Sequence, residues 1–113
     1  MARIFHITAL EDWEKAQAKN VYDFDALKTD GFIHCSTREQ VGGVAHSIFK
    51  GRTDLVLLEI DEKKVKAEIK YENCEEEGEE KFPHIYGPLN IDAIVKVHEF
   101  QPNMLGEFEL PKS

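Results

Sequence analysis

The apolar residues change their period along the chain in an order that leaves few architectures open. Residues 3–8, RIFHIT, alternate as in a strand, and a helix is predicted over residues 9–19. A second strand and helix follow in GFIHCST, residues 31–37, and the residues after it. From residue 54 onward the patterns are mostly those of strands. The sequence therefore predicts an α+β fold rather than a doubly wound parallel sheet.

Strand periodicity divides residues 3–8 into two faces. Arg3, Phe5 and Ile7 are predicted on one face, and Ile4, His6 and Thr8 on the other. The run DLVLLEI, residues 54–60, predicts a buried strand. Further strands are predicted at EIKYE (68–72), IDAIVKVHEF (91–100) and GEFEL (106–110). Residues 21–30 are expected to be irregular, with a turn at residues 30–31.

Both predicted helices begin with the spacing of a capping box, a hydroxyl followed three residues later by a glutamate. Thr8 and Glu11 have this spacing at the first helix, and Ser36 and Glu39 at the second. The inward side of the first helix is predicted to be Leu10, Trp13 and Ala16.

The second helix has the apolar series Val41, Val44, Ala45, Ile48 and Phe49 and is expected to end at Gly51. It also contains Gly42 and Gly43, which weaken helix propensity by roughly 1 kcal/mol each relative to alanine. Close approach of another element is one explanation for them.

Composition restricts the class of partner. The chain has 113 residues, which is one domain's length, and a formal net charge of −8. This charge disfavours duplex nucleic acid and anionic membranes and leaves a small-molecule ligand as the expected partner, without fixing the oligomeric state.

No apolar run approaches the length that spans a bilayer, and no secretion signal is recognisable, so a cytoplasmic protein is expected. Cys35 and Cys74 lack CxxC spacing and are predicted to be reduced thiols.

Residues 72–81, ENCEEEGEEK, contain six glutamates. Their mutual repulsion prevents them from forming a core, so an exposed loop is predicted there.

A histidine is followed two residues later by a hydroxyl side chain three times in the sequence. The tripeptides are His6-Ile7-Thr8, His34-Cys35-Ser36 and His84-Ile85-Tyr86. In a strand each would place an imidazole and a hydroxyl on one face, a shape suited to a polar cleft. The first two precede predicted helix starts, where backbone N–H groups favour an anion. Structural histidines bonded to backbone carbonyls and simple helix caps explain the same residues without a site.

Other assignments for these residues stay open. His6, His34 and His84 could supply three zinc ligands, although no pair has the close helical spacing typical of a metal site. A nucleophilic pair of Cys35 with His34 is disfavoured because strand alternation places them on opposite faces. Glu72 could be a general base, a ribose-binding carboxylate or a solvated strand end, and Gln40 could face the cleft or water.

The segments GFIHCST and FPHIYGPL, residues 82–89, resemble the family called domain of unknown function 952 (DUF952). The motifs HIT, DLVLLEID and Glu72 extend this resemblance over nearly the whole chain as a single domain, residues 1–113. The resemblance implies a fold like that of the ADP-ribosyltransferases, with split small β-sheets, two main helices and a nucleotide cleft. It also implies NAD or an ADP-ribose-like compound as the ligand.

The same resemblance implies roles for single residues. His6 would hold the dinucleotide, and Ser36 or Thr37 would lie near the nicotinamide. The glutamate that orients the ribose late in many transferases has no clear counterpart, and His84 and Tyr86 stand in that segment instead. The related RNA 2′-phosphotransferases rely on arginines, which here are only Arg3, Arg38 and Arg52.

Two functions are therefore expected as alternatives. The first is an enzyme, a transferase or hydrolase, or a binding domain for a nucleotide or other phosphorylated metabolite. Its catalytic residues would be His34, His84 and His6, and its ligand-binding residues Thr8, Ser36, Thr37, Gln40, Glu72 and Tyr86. The second is a non-catalytic interaction module whose acidic loop contacts a basic protein. Convergence of the three imidazoles on one open cleft would favour the first, whereas imidazoles that point to separate places, or that are each bonded to backbone, would count against it.

Overall fold

The computed structural model describes residues 3–22, 31–73, 81–102 and 108. Within them the chain forms β1 (Arg3–Ala9), α1 (Leu10–Lys19), β2 (Val21–Tyr22), β3 (Ile33–His34), α2 (Arg38–Ile48), β4 (Leu55–Asp61), β5 (Glu68–Asn73), β6 (Lys81–Tyr86), β7 (Leu89–Asn90) and β8 (Ile94–Phe100). Single 3₁₀ turns at Glu62–Lys64 and Ile91–Ala93 come after β4 and before β8.

The strands pair antiparallel in three small sheets. Their orders are β1-β4-β8, β3-β6-β5 and β2-β7. In the described ranges, α-helices follow only β1 and β3, near the start of the chain. The predicted α+β class is confirmed.

Strand β4 separates two apolar clusters and is buried on both faces. One cluster comprises Ile4, Trp13, Ala16, Tyr22, Ile33, Cys35, Val56, Leu58, Ile60, Ile85, Leu89 and Ala93. The other comprises Phe5, Ile7, Val41, Ala45, Leu55, Leu57 and Phe100. The division of β1 into two faces, predicted from alternation, is confirmed, because Ile4 belongs to the first cluster and Phe5 and Ile7 to the second.

Both predicted capping boxes are wrong in register. Helix α1 begins at Leu10 with Ala9 as its N-cap, because β1 continues to Ala9 and keeps Thr8 inside the sheet. Helix α2 begins at Arg38 with Thr37 as its N-cap, and the Thr37 N–H donates to Gln40 Oε1 over 2.9 Å. Ser36 lies one residue too early, since its backbone pairs with Phe5.

The inward faces of the helices are largely as predicted. Trp13 and Ala16 are buried in α1, but Leu10, the first helical residue, is 47% exposed. Val41 and Ala45 are fully buried in α2, with Val44 and Phe49 partly buried against the same cluster. The side chain of Ile48 lies outside what is described. Gly51, with φ of 85°, follows the end of the helix.

Gly42 and Gly43 lie inside α2, and close approach of a neighbour does not explain them. A Cβ added at either would meet no atom within 4 Å. We therefore expect Gly42→Ala to raise the free energy of unfolding by about 0.5–1 kcal/mol through helix propensity. Urea denaturation would show a higher midpoint at unchanged slope. An unchanged or lower midpoint would mean that the glycine has a role beyond the helix.

Three further predictions fall partly outside the described residues, and a fourth is corrected within them. Residues 21–22 form β2 rather than an irregular segment, because they pair with β7, and residues 23–30 are not described. The strand predicted for 91–100 begins only at Ile94, after a 3₁₀ turn. The acidic loop, with Cys74, is undescribed over residues 74–80, and of residues 106–110 only Phe108 is described, in an isolated bridge with Pro102. No helix in the described ranges is long and apolar enough to cross a membrane.

Candidate functional site

His6 is held inside the protein by a chain of hydrogen bonds. Its Nδ1 lies 2.5 Å from the backbone oxygen of His34, and its Nε2 lies 3.0 Å from the hydroxyl of Tyr22. The hydroxyl of Thr8 is 2.7 Å from the same Tyr22 oxygen. All three side chains are buried, with His6 only 5% exposed.

The direction of these bonds follows from the groups involved. A carbonyl oxygen only accepts, so Nδ1–H of His6 donates to His34 and Nε2 is the acceptor nitrogen of the neutral ring. Tyr22 O–H then donates to Nε2, and the Thr8 hydroxyl donates to the Tyr22 oxygen. Burial lowers the pKa of His6 to about 4, although the bond to the His34 carbonyl acts in the opposite direction. Near neutral pH His6 is therefore an uncharged ring that ties β1 to β3.

His34 and His84 meet at the surface of the second sheet. They are paired residues of β3 and β6, and their ring centroids are 5.3 Å apart in an edge-to-face arrangement. Phe32 stacks on His84 at 4.1 Å and contacts His34 edge-on at 4.7 Å. His84 is 2% exposed, whereas His34 is exposed. The pair thus joins one buried and one accessible imidazole.

Glu72 of β5 completes this cluster. Its Oε1 accepts a hydrogen bond from Nδ1–H of His84 at 3.0 Å and another, short one from the hydroxyl of Tyr86. These two bonds, that from Tyr86 above all, lower the pKa of the Glu72 carboxyl, and the same carboxylate raises the pKa of Tyr86. The ammonium of Lys70 lies 5.0 Å from the centre of the Tyr86 ring. The Glu72 carboxylate thus anchors the His84 ring and the Tyr86 hydroxyl at the same oxygen.

A groove of about 770 Å³ lies beside His34, between β1 and α2. It is lined by Phe5, His6, Ile7, Thr8, Ala9, Asp12, His34, Cys35, Ser36, Glu39, Gln40, Gly43, Val44, Ser47, Phe49, Arg52 and Phe82. The lining therefore combines apolar residues of β1 and α2 with the charged side chains of Asp12, Glu39 and Arg52.

The described arginines near these features already have carboxylate partners. Arg52 makes two 2.8 Å bonds to Asp54, and this pairing lowers the pKa of Asp54. Arg3 pairs with Glu59 and Asp61. The charged side chains of the groove are Asp12, Glu39 and Arg52, so its net charge is not positive.

The predicted site residues thus divide between two neighbouring places. His6, Thr8, His34, Ser36 and Gln40 line the groove, and His84, Tyr86 and Glu72 lie in the imidazole cluster, with His34 shared. Thr37 caps α2, and Gln40 donates to the backbone oxygen of Lys81, 2.8 Å away. The three imidazoles do not all converge, since His34 and His84 meet while His6 lies behind the His34 backbone.

Two residues of these networks were not predicted as site residues. Phe32 packs on both imidazoles, and its place two residues before His34 in a strand pattern was an available signal. No sequence signal pointed to Tyr22, because its contact with His6 depends on the pairing of β2 with β7.

Neither a metal site nor a reactive thiol is found among the described residues. No group of three or more histidine, cysteine or acidic side chains there is arranged to hold a metal ion. Cys35 is 3% exposed, and burial raises the pKa of its thiol well above the usual range. A buried cysteine on the face opposite His34 agrees with the prediction.

Sequence comparison supplies the family. The model of the family described as "Protein of unknown function (DUF952)" matches residues 7–97. The chain belongs to the DUF952 family. Both segments that carry the resemblance, GFIHCST and FPHIYGPL, lie inside the matched range. None of the curated proteins compared with the chain gives a significant match.

Solved structures support this DUF952 assignment. The chain is similar to the crystal structure of protein CC0527 from Caulobacter crescentus, with a TM-score of 0.84 and 28% sequence identity over 96% of this chain and 94% of that chain. The solution NMR structure of CC0527 gives a TM-score of 0.73 at 28% identity, over 95% of this chain and 91% of that one. The fold of the chain is thus similar to that of CC0527 over nearly the full length of both chains.

Proposed function

We propose that this DUF952 protein binds a nucleotide or another phosphorylated metabolite, with NAD and ADP-ribose-like compounds as the first candidates. It would act on that ligand as a transferase or hydrolase in a fold related to the ADP-ribosyltransferases. The observation that carries the proposal is the pair formed by His34, which lines the groove, and His84, which packs against it. An exposed imidazole beside a carboxylate-bonded one is an arrangement suited to acid–base chemistry near neutral pH.

Each residue of the pair has a distinct part in the proposal. His84, held by Glu72 through Nδ1, is the buried imidazole that packs edge-to-face against His34 and supports its position. His34 is exposed and lines the groove, so it is the imidazole that meets the ligand. Phe32 and Tyr86 supply ring faces for a base or a nicotinamide.

His6, Thr8, Ser36, Thr37 and Gln40 have supporting parts. His6 is buried and neutral, so it acts through the His34 backbone that it holds. Ser36 and Gln40 line the groove near the start of α2, where backbone N–H groups favour a phosphate. The acidic side chains of the groove, Asp12 and Glu39, favour a small ligand with a cationic or neutral ring over a polyanion such as RNA.

A non-catalytic interaction module is the second candidate. The acidic run that would contact a basic partner spans residues 72–80, of which 74–80 lie outside the described residues. Glu72, at the start of that run, is already bonded to His84 and Tyr86. This engagement is why we favour the ligand cleft.

A thermal-shift screen tests the proposal with NAD, ADP-ribose, AMP and zinc as probes. A ligand present at 100 times its Kd stabilises the native state by about 2.7 kcal/mol, which is a shift of several degrees for a chain of this size. We expect NAD or ADP-ribose to give such a shift and His34→Ala to remove most of it. His46→Ala is the matched control, since His46 is an exposed α2 residue that does not line the groove.

If none of the probes stabilises the protein and His34→Ala behaves as the wild type does with each of them, the ligand cleft is rejected. Stabilisation by zinc alone would instead favour a metal site.

A further inference from the structure

Strand β1 has an open backbone edge that faces the groove. In an antiparallel ladder, successive residues direct their N–H and C=O groups to opposite sides of the strand. Phe5 exchanges two bonds with Ser36, of 2.8 and 2.7 Å, on the side away from β4. Leu10 N–H bonds to the backbone oxygen of Asp54, so the backbone N–H and C=O groups of the even-numbered residues face β4. The backbone groups of Ile7 and Ala9 therefore lie on the same side of the strand as those of Phe5.

The next positions along this edge have no strand beside them in the described ranges. After Ser36 the chain turns into α2, and β3 pairs with β6 instead of continuing along β1. The described residues form no hydrogen bond to the outward N–H and C=O of Ile7 or to the N–H of Ala9. Both residues line the groove. The groove is thus bounded by an unpaired strand edge on one side and by α2 on the other.

We propose that this groove binds an extended peptide, which adds a strand to the edge of β1. Main-chain groups of the peptide would bond to Ile7 N–H, Ile7 C=O and Ala9 N–H, in continuation of the pairing that Ser36 makes with Phe5. Edge addition of this kind derives its affinity from main-chain bonds and its specificity from side-chain pockets. The proposal is argued from backbone groups and not from the imidazoles, and the peptide would exclude the nucleotide of the proposed function because both would occupy this groove.

The charges of the groove indicate the kind of peptide. Asp12 and Glu39 line it, whereas the guanidinium of Arg52 is already paired with Asp54. The peptide is therefore expected to carry a basic side chain, as the net charge of −8 also favours. Apolar flanking side chains would meet Phe49 and Val44.

The test uses two pools of acetylated, amidated pentapeptides with randomised flanks, one with a central lysine and one with a central glutamate. We expect members of the lysine pool to bind and to shift the ¹⁵N–¹H signals of Ile7 and Ala9. For the best binder, N-methylation of the residues that face β1 should weaken binding at least tenfold, and N-methylation of the alternate residues should change it by less than threefold.

A pair of glycine variants separates groove binding from other binding. Gly43 lines the groove and Gly42 does not, while an added Cβ is accommodated at both. Gly43→Leu should weaken the best peptide at least tenfold and Gly42→Leu should not, with both variants at least as stable to urea as the wild type. The proposal is overturned if no peptide shifts Ile7 and Ala9, if N-methylation has no positional effect, or if both variants bind equally. A dimer that Gly43→Leu disrupts would also overturn it, because the occupant would then be a second copy of the chain.

Discussion

Acidification from pH 7 to pH 4 is expected to cost the protein about 3 kcal/mol of unfolding free energy through His6 alone. Its pKa is lowered from 6.5 in the unfolded chain to about 4 in the native state. Between these values the unfolded state binds the proton and the native state does not. Stability is therefore complete above pH 6.5 and falls as the pH decreases toward 4.

Urea denaturation at half-unit steps from pH 7 to pH 4 measures this loss. His6→Gln should flatten the dependence between pH 6.5 and 4.5, while its stability at pH 7 is lower than that of the wild type. His46→Gln, in an exposed position of α2, should keep the wild-type slope. If His6→Gln also keeps it, the buried neutral imidazole is not the cause.

The carboxylates do not interfere in the upper part of this window. Hydrogen bonds lower the pKa of Glu72 in the native state, and the pairing with Arg52 lowers that of Asp54. Their contributions are present above the ordinary carboxyl range and are lost only as the pH falls below about 4.5. Loss of stability between pH 6.5 and 4.5 thus reports on histidine.

Tyr22→Phe is expected to reduce the free energy of unfolding by about 2–3 kcal/mol. The hydroxyl of Tyr22, a residue only 1% exposed, bonds to both His6 Nε2 and Thr8 Oγ1, and its removal takes a partner from two buried polar groups. Chemical denaturation at pH 7 measures the change. Tyr71→Phe is the control, because its hydroxyl bonds to Glu62 at the surface and its loss should cost under about 0.5 kcal/mol.

A double-mutant cycle shows whether the network acts as a unit. Thr8→Val preserves the shape of the side chain and removes its hydroxyl. Combined with Tyr22→Phe it should cost less than the sum of the two single changes, by about 1 kcal/mol. Strict additivity would contradict the bond between these two hydroxyls.

Local patterns were enough for much of the architecture. Alternation in residues 3–8 assigned Ile4 and Phe5 to opposite apolar clusters, and the run at 54–60 identified the central strand β4. Helical spacing identified Val41 and Ala45 as the inward face of α2. The buried faces of these strands and helices follow from the spacing of apolar residues within short stretches of sequence, so a local pattern predicts them.

The helix starts failed because a long-range pairing decided them. Ser36 has the residue type and spacing of a cap, but its backbone bonds to Phe5, thirty-one positions away, and the cap moves to Thr37. Thr8 likewise bonds to Tyr22 instead of capping α1. A local pattern of side chains does not show with which distant segment the backbone of a residue will pair.

The sequence alone determined the α+β class, the family, and the three histidine tripeptides as the polar elements of the fold. Tertiary structure decided which of them meet. Pairing of β3 with β6 brings His34 against His84, and the fold places Tyr22 and the His34 carbonyl around His6, which makes that histidine a buried support. Strand periodicity fixes the face on which a side chain lies, whereas its partner depends on strand pairing between distant segments, which no local pattern encodes.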